Sequence, residues 1–186
     1  MKKYFLILIE IFFLLSSYNC NSMELNITDS SKKTVVNDDQ IYKEIKEFAK
    51  NKYPKDYEMQ KYVYDNQVSA YKYMKGVTDQ EVKQFSINKY LKDYEMQQFV
   101  YDNQVAAKQY IKTVNDAESK KFAEEKYYKD YEMQKYVYDK QVSAKQYMET
   151  VTDTELKKTA KEKYPSDYEM QKYIYEKQRK AKDAMK

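Results

Sequence analysis

Apolar and polar positions recur along this chain on two scales. On the short scale, the stretch beginning Asp56-Tyr57-Glu58-Met59-Gln60 carries a helical pattern: at about 100° per residue, Met59, Val63, Ala70 and Met74 fall on one stripe, flanked by Tyr62 and Tyr73. Tyr57, Tyr64, Val68 and Tyr71 form a second stripe, and only the sector of Glu58, Lys61, Asp65, Ser69 and Lys72 is polar throughout. A helix apolar over roughly two thirds of its circumference expects neighbours on two sides. On the long scale the same pattern restarts at Asp56, Asp93, Asp130 and Asp167, with a period of 37 residues and no insertion or deletion. A fixed period of this size is the signature of a repeat array whose units bury one another.

Each period divides into two helices. The long one opens on an Asp at the N-cap with Glu58 in its first turn, where the cap and the helix dipole both favour an acid, and runs to Lys75. Thr78 with Glu81 then forms a capping-box pattern that Asn115 with Glu118 and Thr152 with Glu155 repeat, and Val77 with Val82 or Val151 with Leu156 can close it as a hydrophobic staple. A shorter helix follows to about Tyr90, with a narrow stripe of Val82, Phe85, Ser86 and Tyr90 that fits one neighbour only. Tyr53, Tyr90, Tyr127 and Tyr164 stand before the next long helix, two of them followed by Pro54 and Pro165 at a corner where helix must stop. Residues 39–53 align with the short helix, and the last copy ends in a long one. The expectation is an all-α fold, a short α-solenoid of stacked helix pairs with about eight helices over residues 39–186, the long ones starting near 56, 93, 130 and 167.

The N-terminus has a different pattern. Lys2 and Lys3 precede an apolar run from Tyr4 to Leu15, interrupted by Glu10, and then Ser16, Ser17, Tyr18, Asn19 and Cys20. This is the form of a secretory signal over residues 1–19, too short for a comfortable membrane span. Cys20, the one cysteine of the chain, stands where a bacterial lipoprotein signal presents its thiol for lipidation. The segment resembles the relaxed lipoprotein sites of spirochaetes and similar low-GC bacteria, although Ser17-Tyr18-Asn19 departs from the usual Leu-Ala-Gly type. Plain secretion and a retained signal anchor are the alternatives. Residues 20–38 are polar and aperiodic, as expected of a tether between a membrane anchor and a folded body.

Composition narrows the chemistry. One Gly and two Pro in 186 residues agree with helix almost throughout, and 23 Tyr with 7 Phe supply the core that a disordered, charge-rich chain lacks. The net charge of +4 falls to +3 if Lys2, Lys3 and Glu10 leave with a signal, and acids and lysines are interspersed, which excludes an electrostatic track for nucleic acid. There is no histidine, so the commonest general base is missing along with most zinc sites. The carboxylate pair Asp56 and Glu58 recurs in every copy, and helix capping accounts for it better than acid and base catalysis does. No enzyme activity and no cofactor are expected.

The polar residues left for a functional role are the glutamines between the two apolar stripes and the tyrosine beside them. They are Gln60, Tyr64 and Gln67, with counterparts Gln97, Tyr101 and Gln104, Gln134, Tyr138 and Gln141, and Gln171, Tyr175 and Gln178. Amides at such an angle either hydrogen-bond across the helix pair and fix its register or form a ladder facing a groove. Tyr53-Pro54, Asp56-Tyr57, Met59-Gln60, Tyr62, Gln67 and Ala70 resemble a helical-hairpin motif of assorted bacterial proteins, an aromatic residue and Pro followed by DYxMQxYxxxxQxxA. Here Tyr replaces the usual Trp, and Val63 or Ile174 stands where a Cys is common. That resemblance implies the helical fold and no particular activity.

The expected function is therefore that of an exported, lipid-anchored scaffold of the cell envelope that holds a protein partner. A module binding cell-wall or host glycan through the repeated Tyr and Gln, and a passive spacer, are the alternatives. Replacing Cys20 by Ser is expected to abolish membrane retention and metabolic lipid labelling; unchanged retention on fractionation refutes the anchor.

Overall fold

A computed structural model describes residues 37–185. Cys20, the signal and most of the tether lie outside the described residues. The body from Asn37 onward forms one compact unit of its own. It holds eight helices among the described residues: α1 (Asp38–Lys52), α2 (Tyr57–Gly76), α3 (Gln80–Lys89), α4 (Tyr94–Thr113), α5 (Ala117–Lys126), α6 (Tyr131–Thr150), α7 (Thr154–Lys163) and α8 (Tyr168–Asp183). The expected all-helical solenoid is what the chain adopts, and no described helix is long and apolar enough to cross a membrane.

Each long helix begins as its sequence demands. The side chains of Asp56, Asp93, Asp130 and Asp167 accept from the backbone N–H three residues on. The short helices differ from expectation by one residue: Asp79, Asp116 and Asp153 are the N-caps, not Thr78, Asn115 and Thr152. A carboxylate is the better acceptor for a helix N-terminus, and it leaves Glu81 and Glu118 free to act between helices. With the cap one residue later, the expected staple residues stand at N″ and N3 instead of N′ and N4; Val77 packs on the cluster that holds Val82, and Val151 and Leu156 both pack on the cluster of Met148, Ala160 and Tyr175.

Packing reassigns the partners within a repeat. Each short helix packs on the long helix that follows it, so the hairpins are α1–α2, α3–α4, α5–α6 and α7–α8, and the two ends of the array are complete units. Successive long helices pack side by side in one layer, α2 on α4, α4 on α6 and α6 on α8, with the short helices along one side of that layer. Both connections are short, three residues (77–79) between α2 and α3 and four (53–56) between α1 and α2, so tertiary packing and not loop length makes the choice. At the corner within a hairpin, the cap N–H of Tyr53, Tyr90, Tyr127 and Tyr164 closes the last turn of each short helix. α1 is 15 residues long where the other short helices have 10, and Asp38 at its start binds Tyr71 and Lys75 near the end of α2.

The core is a series of small clusters, one at each junction between hairpins. Each combines a residue near the end of one long helix, one from the short helix that follows, and a tyrosine of the next long helix. The three sets are Met74, Val82 and Tyr101, then Ile111, Ala123 and Tyr138 with Val137, and then Met148, Ala160 and Tyr175. The rings of Tyr73 and Tyr101, Tyr110 and Tyr138, and Tyr147 and Tyr175 meet edge to face at 6.4, 6.2 and 6.5 Å. Tyr101 and Tyr138 also accept the N–H of Asp79 and Asp116 on their hydroxyls at 3.3 Å, whereas the buried hydroxyl of Tyr175 has no partner. Tyr138→Phe is therefore expected to cost about 1 kcal/mol, and Tyr175→Phe to be neutral or stabilising. Urea denaturation with an unchanged slope checks both; equal losses overturn this account of the hydroxyls.

Candidate functional site

The glutamines and tyrosines singled out by the sequence converge on the joints of the array. The first glutamine of each repeat acts within its own hairpin. Nε2 of Gln60, Gln97, Gln134 and Gln171 donates to the carbonyl of Tyr53, Tyr90, Tyr127 and Tyr164, at 2.7, 2.6, 2.7 and 2.7 Å respectively. That carbonyl belongs to the residue ending the short helix, one of the groups left without an intrahelical partner, and the amide satisfies it. The bond fixes the corner of the hairpin.

The second glutamine joins one hairpin to the next. The side-chain oxygens of Gln67, Gln104 and Gln141 accept from the backbone N–H of Tyr94, Tyr131 and Tyr168, at 2.7, 2.6 and 2.6 Å. Their Nε2 atoms donate to the capping carboxylates of Asp93, Asp130 and Asp167, at 2.7, 2.8 and 2.9 Å. Each of those carboxylates meanwhile caps its own helix. The amide thus completes a clamp on the first turn of the neighbouring helix, and all three glutamines are at most 1% exposed.

These bonds settle the two readings of the glutamine set for residues inside the array. The amides fix register, and the set does not form a groove open to solvent. Gln97, Gln134 and Gln171 are buried as well, as are Tyr101, Tyr138 and Tyr175. Three members remain accessible: Gln60 and Tyr64, half-buried on the first hairpin, and Gln178, exposed on α8, the last of the described helices.

Charged groups add a second set of rungs. Lys108 pairs with Asp79 at 2.9 Å, Lys145 with Asp116 at 2.6 Å and Lys182 with Asp153 at 2.8 Å. The ammonium bonded to each aspartate holds its carboxyl below the usual carboxylate range. Burial works against the charge of Lys108, but its bond to Asp79 and the nearby Tyr131 outweigh it, and its pKa is raised. The Lys108 and Lys145 ammoniums lie over the rings of Tyr131 and Tyr168, whose hydroxyls donate to Glu81 and Glu118. The hydroxyls of Tyr73 and Tyr110 donate to Asp102 and Asp139 on the next long helix; the carboxylate acceptors, with burial, push both phenols up to about 12.

One class of aromatic residue is not used by these joints. Tyr62, Phe99, Tyr136 and Tyr173 occupy the same position in successive repeats and are 61, 59, 56 and 54% exposed. This position lies two residues before the buried Tyr101 and its equivalents, about 160° away around the helix, on the side of the layer that the short helices leave open. Tyr136 borders a shallow groove with Ala106, Ala107 and Lys135, and Tyr173 borders its equivalent with Ser143, Ala144 and Lys172. Lys140 and Lys177 stand over the two rings at 5.6 and 5.9 Å. The helical wheel puts Tyr62 at the flank of the stripe of Met59, Val63, Ala70 and Met74, where burial is expected. The available signal was its neighbourhood, next to the polar sector of Lys61, Asp65 and Ser69, together with Phe99, which shows that the ring and not the hydroxyl is retained at this position.

No family model, no curated protein and no solved structure matches this chain. Among the described residues no cluster of acidic, histidine or cysteine side chains could hold a metal ion. The candidate site is thus a surface, the open side of the long-helix layer with its row of aromatic rings.

The clamp has a direct energetic consequence. Gln104→Ala removes the partner of the Tyr131 N–H and one of the donors to the Asp130 carboxylate in a half-buried joint, at about 1–3 kcal/mol in all. Gln178→Ala, at the same repeat position but exposed, is expected to stay within about 0.5 kcal/mol of the parent. Urea melts of the two variants check the contrast, and comparable losses refute the clamp.

Proposed function

We propose that this protein is a helical-repeat interaction module of a bacterial cell envelope, tethered through Cys20, that holds a protein partner on the open side of its long-helix layer. The single observation that carries the reading is the row of Tyr62, Phe99, Tyr136 and Tyr173, large rings kept exposed in all four repeats while every other recurrent tyrosine of the long helices serves a joint in at least one of them. Aromatic residues dominate the energetics of protein interfaces because they bury much surface for little lost rotamer freedom. The surroundings suit a protein rim: small residues leave shallow grooves beside the rings, and Glu132, Lys135 and Asp139 present both signs of charge.

The glycan reading is weaker on chemical grounds. Sugar recognition needs planar polar groups beside the stacking ring, and the glutamine amides that were to supply them are bonded inside the joints. A spacer needs no exposed rings at all. Envelope location rests on the signal-like N-terminus and Cys20, in keeping with a body held off a membrane by residues 20–36.

The test is capture from envelope and host protein extracts, comparing the parent with a variant carrying Tyr62→Ala, Phe99→Ala, Tyr136→Ala and Tyr173→Ala. Capture is expected to fall at least tenfold, the effect of about 1.4 kcal/mol, while the helical circular dichroism is unchanged. Undiminished capture refutes the aromatic row as the binding face, and displacement of the captured material by soluble oligosaccharides moves the reading to glycan.

A further inference from the structure

The first and last described hairpins are unlike the capping units of a solenoid. A capping helix presents a polar outer face, which solubility requires. On α8 the outward stripe is instead kept as it is inside the array. Ile174, Gln178, Ala181 and Met185 stand at the positions of Val63, Gln67, Ala70 and Met74, all four of which are at most 4% exposed. In this last copy Gln178 and Ala181 of α8 are exposed, and so is Met185, two residues past its end, at 83%, while Ile174 is half-buried against the preceding junction. The polar changes in this last copy fall elsewhere. Arg179 takes the place of Val105 and Val142, which pack back on the preceding junction, and Lys180 sits in the solvated sector.

The rest of a joint is also in place at this end. Lys182 is drawn to Asp153 at 2.8 Å just as Lys145 is drawn to Asp116. Glu155 is the counterpart of Glu81 and Glu118, which take the hydroxyls of the next tyrosine but one, and it is exposed. The opposite end offers the complementary half. The Asp56 carboxylate caps the N–H of Met59 at 3.0 Å, as at every other long helix, but among the described residues no glutamine amide lies on it. Tyr57 is 80% exposed, whereas Tyr94, Tyr131 and Tyr168 are half-buried in their joints. A cavity lined by Ala49, Tyr57, Gln60 and Tyr64 opens beside it on the first hairpin.

We propose that a second copy of this chain docks head to tail on the first, its α1–α2 hairpin on α8, through the same junction that occurs three times inside the chain. Gln178 of one copy takes the N–H of Tyr57 and the carboxylate of Asp56 of the other. Lys182 lies against the Tyr57 ring, Glu155 accepts the Tyr57 hydroxyl, and Met185 packs on Tyr64. Ala184 replaces Tyr73, Tyr110 and Tyr147, so this joint lacks the tyrosine-to-aspartate bond of the first two internal joints and is weaker. Without a peptide link the second hairpin also loses its high local concentration, so association depends on protein concentration. The contact joins different surfaces and leaves a free head and a free tail, the arrangement that yields open filaments when rotation does not close a ring. Each added copy extends the aromatic row.

The test is sedimentation velocity on the full chain in mild detergent. The parent is expected to rise in average mass with concentration, past the dimer. Ala181→Arg blocks the tail with a bulky wedge, and Tyr57→Lys blocks the head by setting like charge against Lys182; both positions are exposed, and helical circular dichroism checks that each variant folds. Each alone is expected to be monomeric, and an equimolar mixture to form a dimer and nothing larger, because it offers one working head and one working tail. A parent that stays monomeric at about 1 mM overturns the proposal. So does a parent-like association by either variant alone, or a mixture that remains monomeric.

Discussion

A primary amide carries a donor and an acceptor on one planar group, and in this protein Gln67, Gln104 and Gln141 commit both to the first turn of the next long helix. The start of a helix is where backbone N–H groups lack partners, and in a half-buried joint water reaches them less readily. The aspartate cap satisfies one N–H and the glutamine a second, while the glutamine also satisfies the aspartate. Three polar groups that would each be costly to bury become a closed set. That set determines where along its length one helix meets the next, which the small apolar clusters around Met74, Ile111 and Met148 could not do alone, since dispersion is indifferent to a slip of one turn.

Because every joint uses the same groups, the repeat can vary little within it. Asp, Tyr, Met and Gln of the opening DYEMQ and the second Gln return unchanged in all four copies, and most positions that differ face solvent or lie in the short helices; the exceptions at core positions are aliphatic exchanges, Ile111 for Met74 and Met148 and Ile174 for Val63. The short helices show the freedom that remains. Ile45, Val82, Ser119 and Leu156 occupy one position, and the contact is completed by Ala49, Ser86, Ala123 and Ala160, small residues that let the helices approach closely. Lys–Asp and Tyr–Asp bonds reinforce the joints from their edges, where partial exposure weakens ion pairs but leaves the neutral phenol-to-carboxylate bonds in place.

A joint built this way also separates structure from surface. Residues around the axis of each long helix are consumed by the previous hairpin, the next hairpin and the short helix, leaving a single sector open. That sector holds the charged residues and, at its border, one aromatic ring per repeat. A solenoid offers such a sector as a continuous strip whose length grows with the number of units, so a binding surface and a spacing function have a common geometric origin.

The sequence by itself determined the local and periodic features. The period of 37, the aspartate starts, the lengths of the long helices and the solvated sector of Glu58, Lys61, Asp65, Ser69 and Lys72 all follow from capping and wheel geometry, which act within a few residues. It also showed that Gln60 and Gln67 sit at an angle where an amide needs a partner. What only the tertiary structure decided was which partner. Nothing local distinguishes a short helix that packs forward from one that packs back, and the bonds from Gln67 to Asp93 and Tyr94 span 26 and 27 residues. For the same reason Tyr62 and Tyr64, two residues apart and alike in chemistry, could not be sorted from the wheel alone: one apolar border faces a neighbour and the other faces water, and the position of the neighbour is not written in either residue.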